Sequence, residues 1–158
     1  MRSDERGSIA VTVALLLPLL LTTLVGVVQL GALRVIAAKI ASAADLATLA
    51  ATDDQDQNAL VRTGILRLAP DAVAVARTYF ALNLASVSPL LATTPESVAA
   101  QAQISAFAEV PAVDPLTGWL YEHPTVRIAV DVPVRTPVFG VVLPASLTVR
   151  VRSASAPR

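Results

Sequence analysis

The single histidine is the residue best suited to acid–base or nucleophilic catalysis, and it stands in a loop, at position 123 between Glu122 and Pro124. A serine triad would depend on this imidazole alone, and no second histidine is present to complete a zinc site. The chain has no cysteine, which excludes disulfides, thiolate metal sites and thiol catalysis. The sequence therefore predicts a protein that is not an enzyme, with no catalytic residue, cofactor or metal ion.

The acidic stretch after residue 51 has one chemical alternative. Asp54, Asp56 and Asn58 match the first three ligand positions of a calcium loop. The position that requires glycine is Ala59, however, and the position that requires a bidentate carboxylate is Ile65. We therefore interpret the stretch as a solvated loop.

Composition indicates the class of protein. Twelve basic residues balance twelve acidic residues without segregating from them, which argues against a nucleic-acid partner. Hydrophobic residues make up 54% of the 158 residues and aromatic residues only 4%, so the apolar surplus is aliphatic. It is concentrated between Arg6 and Arg34, where no residue is charged and where eighteen of the twenty-five residues from 9 to 33 are Ala, Val, Ile or Leu.

This apolar segment is long enough to cross a bilayer. As a helix it would measure roughly 37 Å, against a hydrocarbon core of about 30 Å. Its Leu, Ile and Val residues would contribute roughly −6 kcal/mol to insertion. The alternative is a secretory signal cleaved near residues 41–43, although the apolar core of a signal is shorter, about 7–15 residues. Arg2 and Arg6 before the segment are matched by Arg34 and Lys39 after it. The positive-inside rule therefore leaves the orientation open.

The helical pattern continues beyond the apolar segment. No glycine or proline interrupts residues 34–51, where apolar residues recur every three or four positions: Ile36, Ile40, Ala43, Ala44, Ala47 and Ala50. One helix from about Ser8 to Ala51 would be roughly 66 Å long and would project from the membrane as a stalk. Its alanine-rich face packs either on the chain's own head or on other copies and partners. In the second case, a bulky residue at Ala44 or Ala47 should impair assembly more than expression.

The remaining residues predict a small α+β head, with domain bounds of 1–7 for a cytoplasmic segment, 8–51 for the membrane and stalk helix, and 52–158 for the head. Residues 59–68 fit either a short helix or a loop. Pro70 and Asp71 then begin a helix that runs to Leu84. The residues that this helix should bury follow helical spacing: Val73, Ala76, Phe80 and Leu84.

Three stretches with alternating polarity predict an antiparallel sheet of about three strands, at 97–109, 127–135 and 147–152. Pro133 should place the second strand at an edge or shorten it. Trp119 and Tyr121 lie in the loop between the first two strands. These aromatic residues either close the end of the core, contact a partner or sit at a membrane surface.

Two motifs carry a resemblance to a known family. The first is Arg6-Gly7-Ser8-Ile9-Ala10-Val11-Thr12-Val13-Ala14, followed by a leucine-rich segment with Pro18. The second is Ala43-Ala44-Asp45-Leu46-Ala47-Thr48-Leu49-Ala50-Ala51. Together they resemble the TadE/TadG-like proteins of tight-adherence (Flp-type) pilus assembly, over about the first third of the chain. A more distant similarity to family tails lies in Pro137, Phe139, Gly140, Val141 and Leu143.

The resemblance implies a minor pilin or pseudopilin that serves cell adhesion or secretion. Such a protein has one helix in the bacterial cytoplasmic membrane, a cytoplasmic N-terminus and an extracytoplasmic head. Its implied partners are membrane lipid, other pilus or pseudopilin subunits, the inner-membrane assembly platform and a prepilin peptidase, which would cut between Gly7 and Ser8. Thr12 and Val13 stand where the family's cleavage motif has Glu and Tyr, so the chain is closer to the TadG side, an anchored assembly component. A membrane-anchored extracytoplasmic binding module is the alternative function.

Overall fold

The computed structural model describes residues 4–53, 55–136 and 146–157, and it describes the side chains from residue 10 onward. The calcium-loop position Asp54 and the tail similarity at 137–143 lie outside these residues. The fold is α+β, as predicted, with a long N-terminal helix and a small head. Its elements are α1 (Asp4–Asp53), α2 (Gln57–Thr63), α3 (Ala72–Leu84), a 3-10 helix (Ala85–Leu90), α4 (Pro95–Gln101), β1 (Gln103–Phe107), β2 (Ala112–Val113), β3 (Leu120–Tyr121), β4 (Thr125–Arg135) and β5 (Ser146–Ser155).

Helix α1 is a single helix of 50 residues, four residues longer at its start and two at its end than the sequence predicts. Pro18 does not end it. From Ala10 onward it is long and apolar enough to cross a membrane, and the large apolar side chains from Val11 to Leu30 are almost all exposed. From Ile36 onward one side of the helix is buried in the head. The first part therefore leaves an apolar surface uncovered, and the last third belongs to the core.

The alanine-rich signature packs on the chain's own head. Ala43, Ala44 and Ala47 belong to the same buried cluster as residues of α3 and β4. Asp45 and Leu49 lie on the opposite, exposed side of α1, and Ala50 is half-buried. Of the two alternatives for this face, packing within the chain is the one that the structure shows, so the alanines are not free to contact another copy.

This burial changes the expected effect of a bulky residue in the signature. Replacing Ala47, which is fully buried, by Phe should lower the stability of the head by about 1–3 kcal/mol, because a packed core resists added volume. Leu49→Phe, two residues further along the exposed side, is the matched control and should change stability little. Urea unfolding of the full chain in mild detergent measures both. Equal midpoints for the two variants would contradict the packing of α1 on the head.

The head is a three-stranded antiparallel sheet in the order β1-β4-β5, covered on one face by α1 and α3. The inner face of the sheet is apolar because alternate residues of the central strand point toward the helices. These residues are Val126, Ile128, Val130, Val132 and Val134, and all are buried. Thr48 of α1 adds a polar contact, with its Oγ1 3.1 Å from the Oγ of Ser153 and 2.9 Å from the Oγ of Ser155.

The prediction that Pro133 lies at a sheet edge is wrong, because β4 is the central strand. The ladder between β1 and β4 covers only residues 125–129 of β4, so Pro133 lies beyond the end of β1. Its carbonyl oxygen points to that open side and accepts a hydrogen bond of 2.9 Å from the Ala92 N–H. The N–H that proline lacks would point the same way, so no bond to β5 is lost.

The predicted strand at 97–109 is also wrong in its first half, which forms α4. Thr94 caps this helix, since its Oγ1 accepts a hydrogen bond of 3.2 Å from the Ser97 N–H, and Pro95 occupies the first turn. Within the described residues the head therefore has three α-helices instead of one, counting α2, which begins two residues before the ambiguous stretch at 59–68. Helix α3 follows the prediction, except that Ala72 is buried and Val73 only half-buried.

Candidate interaction surface

A small hairpin, β2–β3, lies between β1 and β4 in the chain, and its turn is closed by backbone hydrogen bonds. The N–H of Asp114 donates to the Trp119 carbonyl oxygen and the N–H of Gly118 donates to the Asp114 carbonyl oxygen, both at 2.8 Å. Gly118 has a φ of 72°, a left-handed backbone conformation that residues other than glycine rarely adopt. Asp114 followed by Pro115 and then Gly118 is typical of such a turn.

The carboxylate of Asp114 is fully buried and holds the turn together. Its Oδ1 accepts a hydrogen bond of 2.9 Å from the Leu116 N–H, and its Oδ2 accepts one of 2.7 Å from the Thr117 hydroxyl. The Tyr121 hydroxyl lies 3.4 Å from Oδ2. The turn is therefore organised around one buried acid and does not need a partner to shape it.

Arg127 of β4 lies under the turn and pairs with Asp114. Its Nη1 donates to Asp114 Oδ1, and its Nη2 donates to the Ser105 hydroxyl at 2.9 Å. Its guanidinium carbon lies 5.8 Å from the centre of the Phe107 ring, which is itself 5.0 Å from the Tyr121 ring. The ion pair and the two rings fix the hairpin to the outer face of the sheet, the face opposite α1.

Two pKa values reflect this arrangement. Burial alone would raise the pKa of Asp114, but hydrogen bonds from Leu116, Thr117 and Arg127 outweigh it, so that pKa lies below its usual value. Burial and the neighbouring Asp114 charge raise the pKa of Tyr121. Both groups are therefore held in the forms that the ion pair requires, an ionised aspartate and a neutral tyrosine.

The hairpin exposes a cluster of large apolar side chains. Trp119 is 69% exposed, and three further side chains around it are also exposed: Val113, Leu116 and Leu120. Tyr121, in contrast, packs on Phe107. The two aromatic residues indicated by the sequence therefore have different surroundings. Tyr121 closes the end of the hairpin, and Trp119 projects from it.

A cleft of about 280 Å³ separates the hairpin from the sheet. We call it the hairpin cleft, lined by Leu116, Trp119, Tyr121, Arg127 and Arg152 together with Thr117, Ala129, Ser153 and Ala154. Its walls are mainly apolar and its charged groups are arginines. The buried Nε of Arg127 has no hydrogen-bond partner among the described residues. The cleft therefore combines an apolar surface with positive charge.

The cleft lies beside the last third of α1, beyond the part of the helix that is long and apolar enough to cross a membrane. It is lined by Ser153, whose hydroxyl contacts Thr48 of α1. Thr48 stands fourteen residues after Arg34, which corresponds to about 21 Å along the helix. With the helix upright in a bilayer that ends near Arg34, Trp119 would not reach the lipid. This geometry favours a protein contact for the exposed cluster over a membrane-surface contact.

The other residues singled out in the sequence do not form a common site. His123 is exposed in its loop, where its carbonyl oxygen accepts a hydrogen bond of 2.7 Å from the Thr125 hydroxyl. Asp56 caps α2, its Oδ1 accepting a hydrogen bond of 2.9 Å from the Ala59 N–H. Gly7 and Ser8 lie in the first turns of α1. Among the residues that the structure describes, no three His, Cys, Asp or Glu side chains are grouped as a metal site would require.

No family model matches the chain, and no curated protein or solved structure matches it. The resemblance to the TadE/TadG-like proteins therefore rests on the two sequence motifs alone. The buried pair of Asp114 and Arg127 was not predicted, because Arg127 alternates with apolar residues in the sequence, as is typical of a solvated side of a strand. The sequence signal for it is the turn pattern of Asp114, Pro115 and Gly118, which indicates a hairpin between β1 and β4.

Proposed function

We propose that the chain is a non-enzymatic structural or assembly component, like a minor pilin or pseudopilin, of a Flp-type pilus or related secretion apparatus. The observation that supports this most directly is the construction of α1. One helix leaves an apolar surface exposed over its first part and contributes its last third to the core of the head. A membrane anchor and a head are thereby joined without a flexible linker.

This construction suits assembly better than tethering. Ile36, Ile40 and Ala44 are buried on the head while the same helix continues through the apolar segment, so a displacement of the anchor moves the head as a rigid unit. A tethered enzyme or receptor needs no such coupling. In the proposed topology the N-terminus is cytoplasmic, the helix crosses the bacterial cytoplasmic membrane, and the head contacts other pilus subunits and the assembly platform outside it.

The N-terminus and intact mass of the native protein from its own cell envelope test this proposal. We expect a membrane-retained form that starts near Met1, because Thr12 and Val13 replace the residues of the family's cleavage motif. A start at Ser8 would also agree with a pseudopilin and would show that a prepilin peptidase accepts the site. A soluble form that starts near Ala44 would contradict the proposal, because the apolar segment would then be a secretion signal.

The exposed Trp119 favours a second candidate function, a membrane-anchored extracytoplasmic binding module. Co-purification from solubilised envelopes separates the two. An assembly component should be isolated with other pilus subunits or the assembly platform. A binding module should retain a ligand in their absence, and Trp119→Ala should release it.

A further inference from the structure

The outward side of the stalk carries acidic and apolar residues that the head does not cover. We call this the outer stalk face, formed by Ser42, Asp45, Leu46, Leu49 and Asp53, all of them exposed. Leu46 is 54% and Leu49 46% exposed. They lie on the opposite side of α1 from Ala44, Ala47 and Thr48, which face the core. Leu46 and Leu49 therefore give this acidic surface an apolar strip that a partner can cover.

The hairpin cleft is complementary to the outer stalk face, because it combines an apolar surface with a basic group. It is apolar where Leu116 and Trp119 line it and basic at Arg152. Four other charged groups around the cleft form two ion pairs, Asp114 with Arg127 and Asp131 with Arg150. Within the described ranges Arg152 forms no salt bridge, and it acts on the Asp131 carboxylate, which Arg150 holds by hydrogen bonds, only through its charge. Its guanidinium therefore remains able to pair with an acidic partner.

The two surfaces lie at the same height and on opposite sides of the molecule. Thr48, which is adjacent to Leu49, contacts Ser153 on the inner face of the sheet, and the preceding residue of β5, Arg152, points to the outer face. Helix α1 covers the inner face of the sheet and the cleft opens on the outer face. Copies anchored in one membrane share a height and an orientation, so the outer stalk face of one copy can meet the hairpin cleft of the next without tilting.

We propose that a second copy of this chain occupies the hairpin cleft, with Leu46 and Leu49 of its outer stalk face against Leu116 and Trp119. Asp45 and Asp53 of that copy lie about 12 Å apart along the helix, one on either side of Leu49, and one of the two supplies the carboxylate that pairs with Arg152. The two surfaces differ, so the contact is heterologous and extends from copy to copy as an open row instead of closing into a dimer. The inference depends on the proposed function only for the shared membrane.

Membrane anchoring is what makes this contact effective. The proposed contact joins only a few side chains of each copy, whereas stable interfaces typically bury about 1,200–2,000 Å² in total. Confinement to one bilayer raises the effective concentration of each surface for the other. Association should therefore be much stronger for the full chain in a membrane than for dilute protein in detergent.

Disulfide trapping tests the contact directly, because the chain has no cysteine of its own. Full-length Leu49→Cys and Leu116→Cys proteins are reconstituted separately and together in liposomes and treated with a mild oxidant. We expect cross-linked dimers only in the mixture, since each variant alone presents its cysteine to an unmodified surface. Leu82→Cys mixed with Leu116→Cys is the matched control, because Leu82 is exposed on α3 outside both surfaces, and it should give none.

Charge reversal adds a specificity test. Asp45→Arg with Asp53→Arg in the Leu49→Cys protein should lower the cross-linking yield about fivefold, the effect of about 1 kcal/mol. Arg152→Glu in the Leu116→Cys protein should restore most of it.

Dimers of Leu116→Cys alone would overturn the proposal, since they indicate hairpin-to-hairpin contact. Absent cross-links in protein that resists alkaline extraction would overturn the docking and leave the proposed function standing. Protein that alkali extracts would overturn both, because the shared membrane would be lost.

Discussion

The substitution Asp114→Ala should destabilise the head by about 3–5 kcal/mol, the usual cost of leaving one member of a buried ion pair without its partner. The side chain of Asp114 is fully buried and that of Arg127 is 5% exposed. Without the carboxylate, the one hydrogen bond that Arg127 keeps among the described residues is that to the Ser105 hydroxyl, and the Leu116 N–H loses its acceptor. We expect a lower urea midpoint for the full chain in mild detergent.

The fluorescence of Trp119, the only tryptophan of the chain, reports on the local effect of Asp114→Ala. Trp119 lies on the turn that Asp114 organises, so the anisotropy of its fluorescence should fall in Asp114→Ala before the head unfolds. Asp131→Ala is the matched control, because it removes a carboxylate from an ion pair whose two side chains are 51% and 69% exposed. A surface pair contributes little to stability, and this variant should leave the midpoint and the anisotropy nearly unchanged.

A double variant and a pH series separate the charge of Asp114 from its size. Asp114→Asn combined with Arg127→Met keeps an acceptor for the Leu116 N–H and removes both charges, and it should recover most of the lost stability. Because the folded pKa of Asp114 is below the unfolded value of about 3.9, the ionised pair stabilises the fold above about pH 4. That stability is lost as the pH falls through the folded pKa. An unchanged acid transition in Asp114→Asn would contradict this assignment.

The parts of the fold that follow from the sequence are those with long, regular patterns. Helix α3 and the paired strands β4 and β5 were predicted because periods near four and of two persist over many residues, and burial then selects one face. The apolar run predicted α1 in the same way. None of these predictions required knowledge of which elements touch.

Two of the errors arise where a tertiary contact decides between local alternatives, and the error at 97–109 arises where a local helix cap outweighs an alternating pattern. Val98 and Ala102 fit an alternating pattern, but they also fit a helix face, and the cap by Thr94 selects the helix. Pro133 is compatible with a central strand only because β1 ends before it. The alanine signature could have faced either way. Its burial follows from the position of α3 and the sheet, which spacing within α1 does not encode.

Only part of the candidate surface could be predicted from the sequence, because its formation also depends on tertiary contacts. The sequence indicated Trp119 and Tyr121, because aromatic residues in a glycine-containing loop can anchor a partner. It did not indicate Arg127 or Arg152, since arginines alternating with apolar residues are typical of a solvated sheet face. The hairpin folds back over that face. It buries Arg127 against Asp114 and leaves Arg152 in the wall of the cleft.

Phe80→Ala should be the most damaging single change in the helical layer, with a loss of about 3–5 kcal/mol. Phe80 is the largest of the fully buried side chains and lies on α3, the element with the most extensive contact with α1 in the head. Truncation to Ala removes most of its apolar area and leaves a cavity that α1 and the sheet cannot close, because both are fixed by contacts on either side of it. The urea midpoint of the full chain should fall accordingly.

Tyr79→Ala is the matched control, since Tyr79 precedes Phe80 on the same helix and is 47% exposed. It should change stability by no more than about 0.5 kcal/mol.

The comparison of the two variants also tests the coupling between α1 and the head, on which the proposed function depends. If the last third of α1 is held by the head, loss of Phe80 should make residues 36–51 accessible to protease while the apolar segment before them stays protected by detergent. A stalk that remains protected in Phe80→Ala would mean that α1 is stable without the head, and the rigid connection between anchor and head would then not depend on this core.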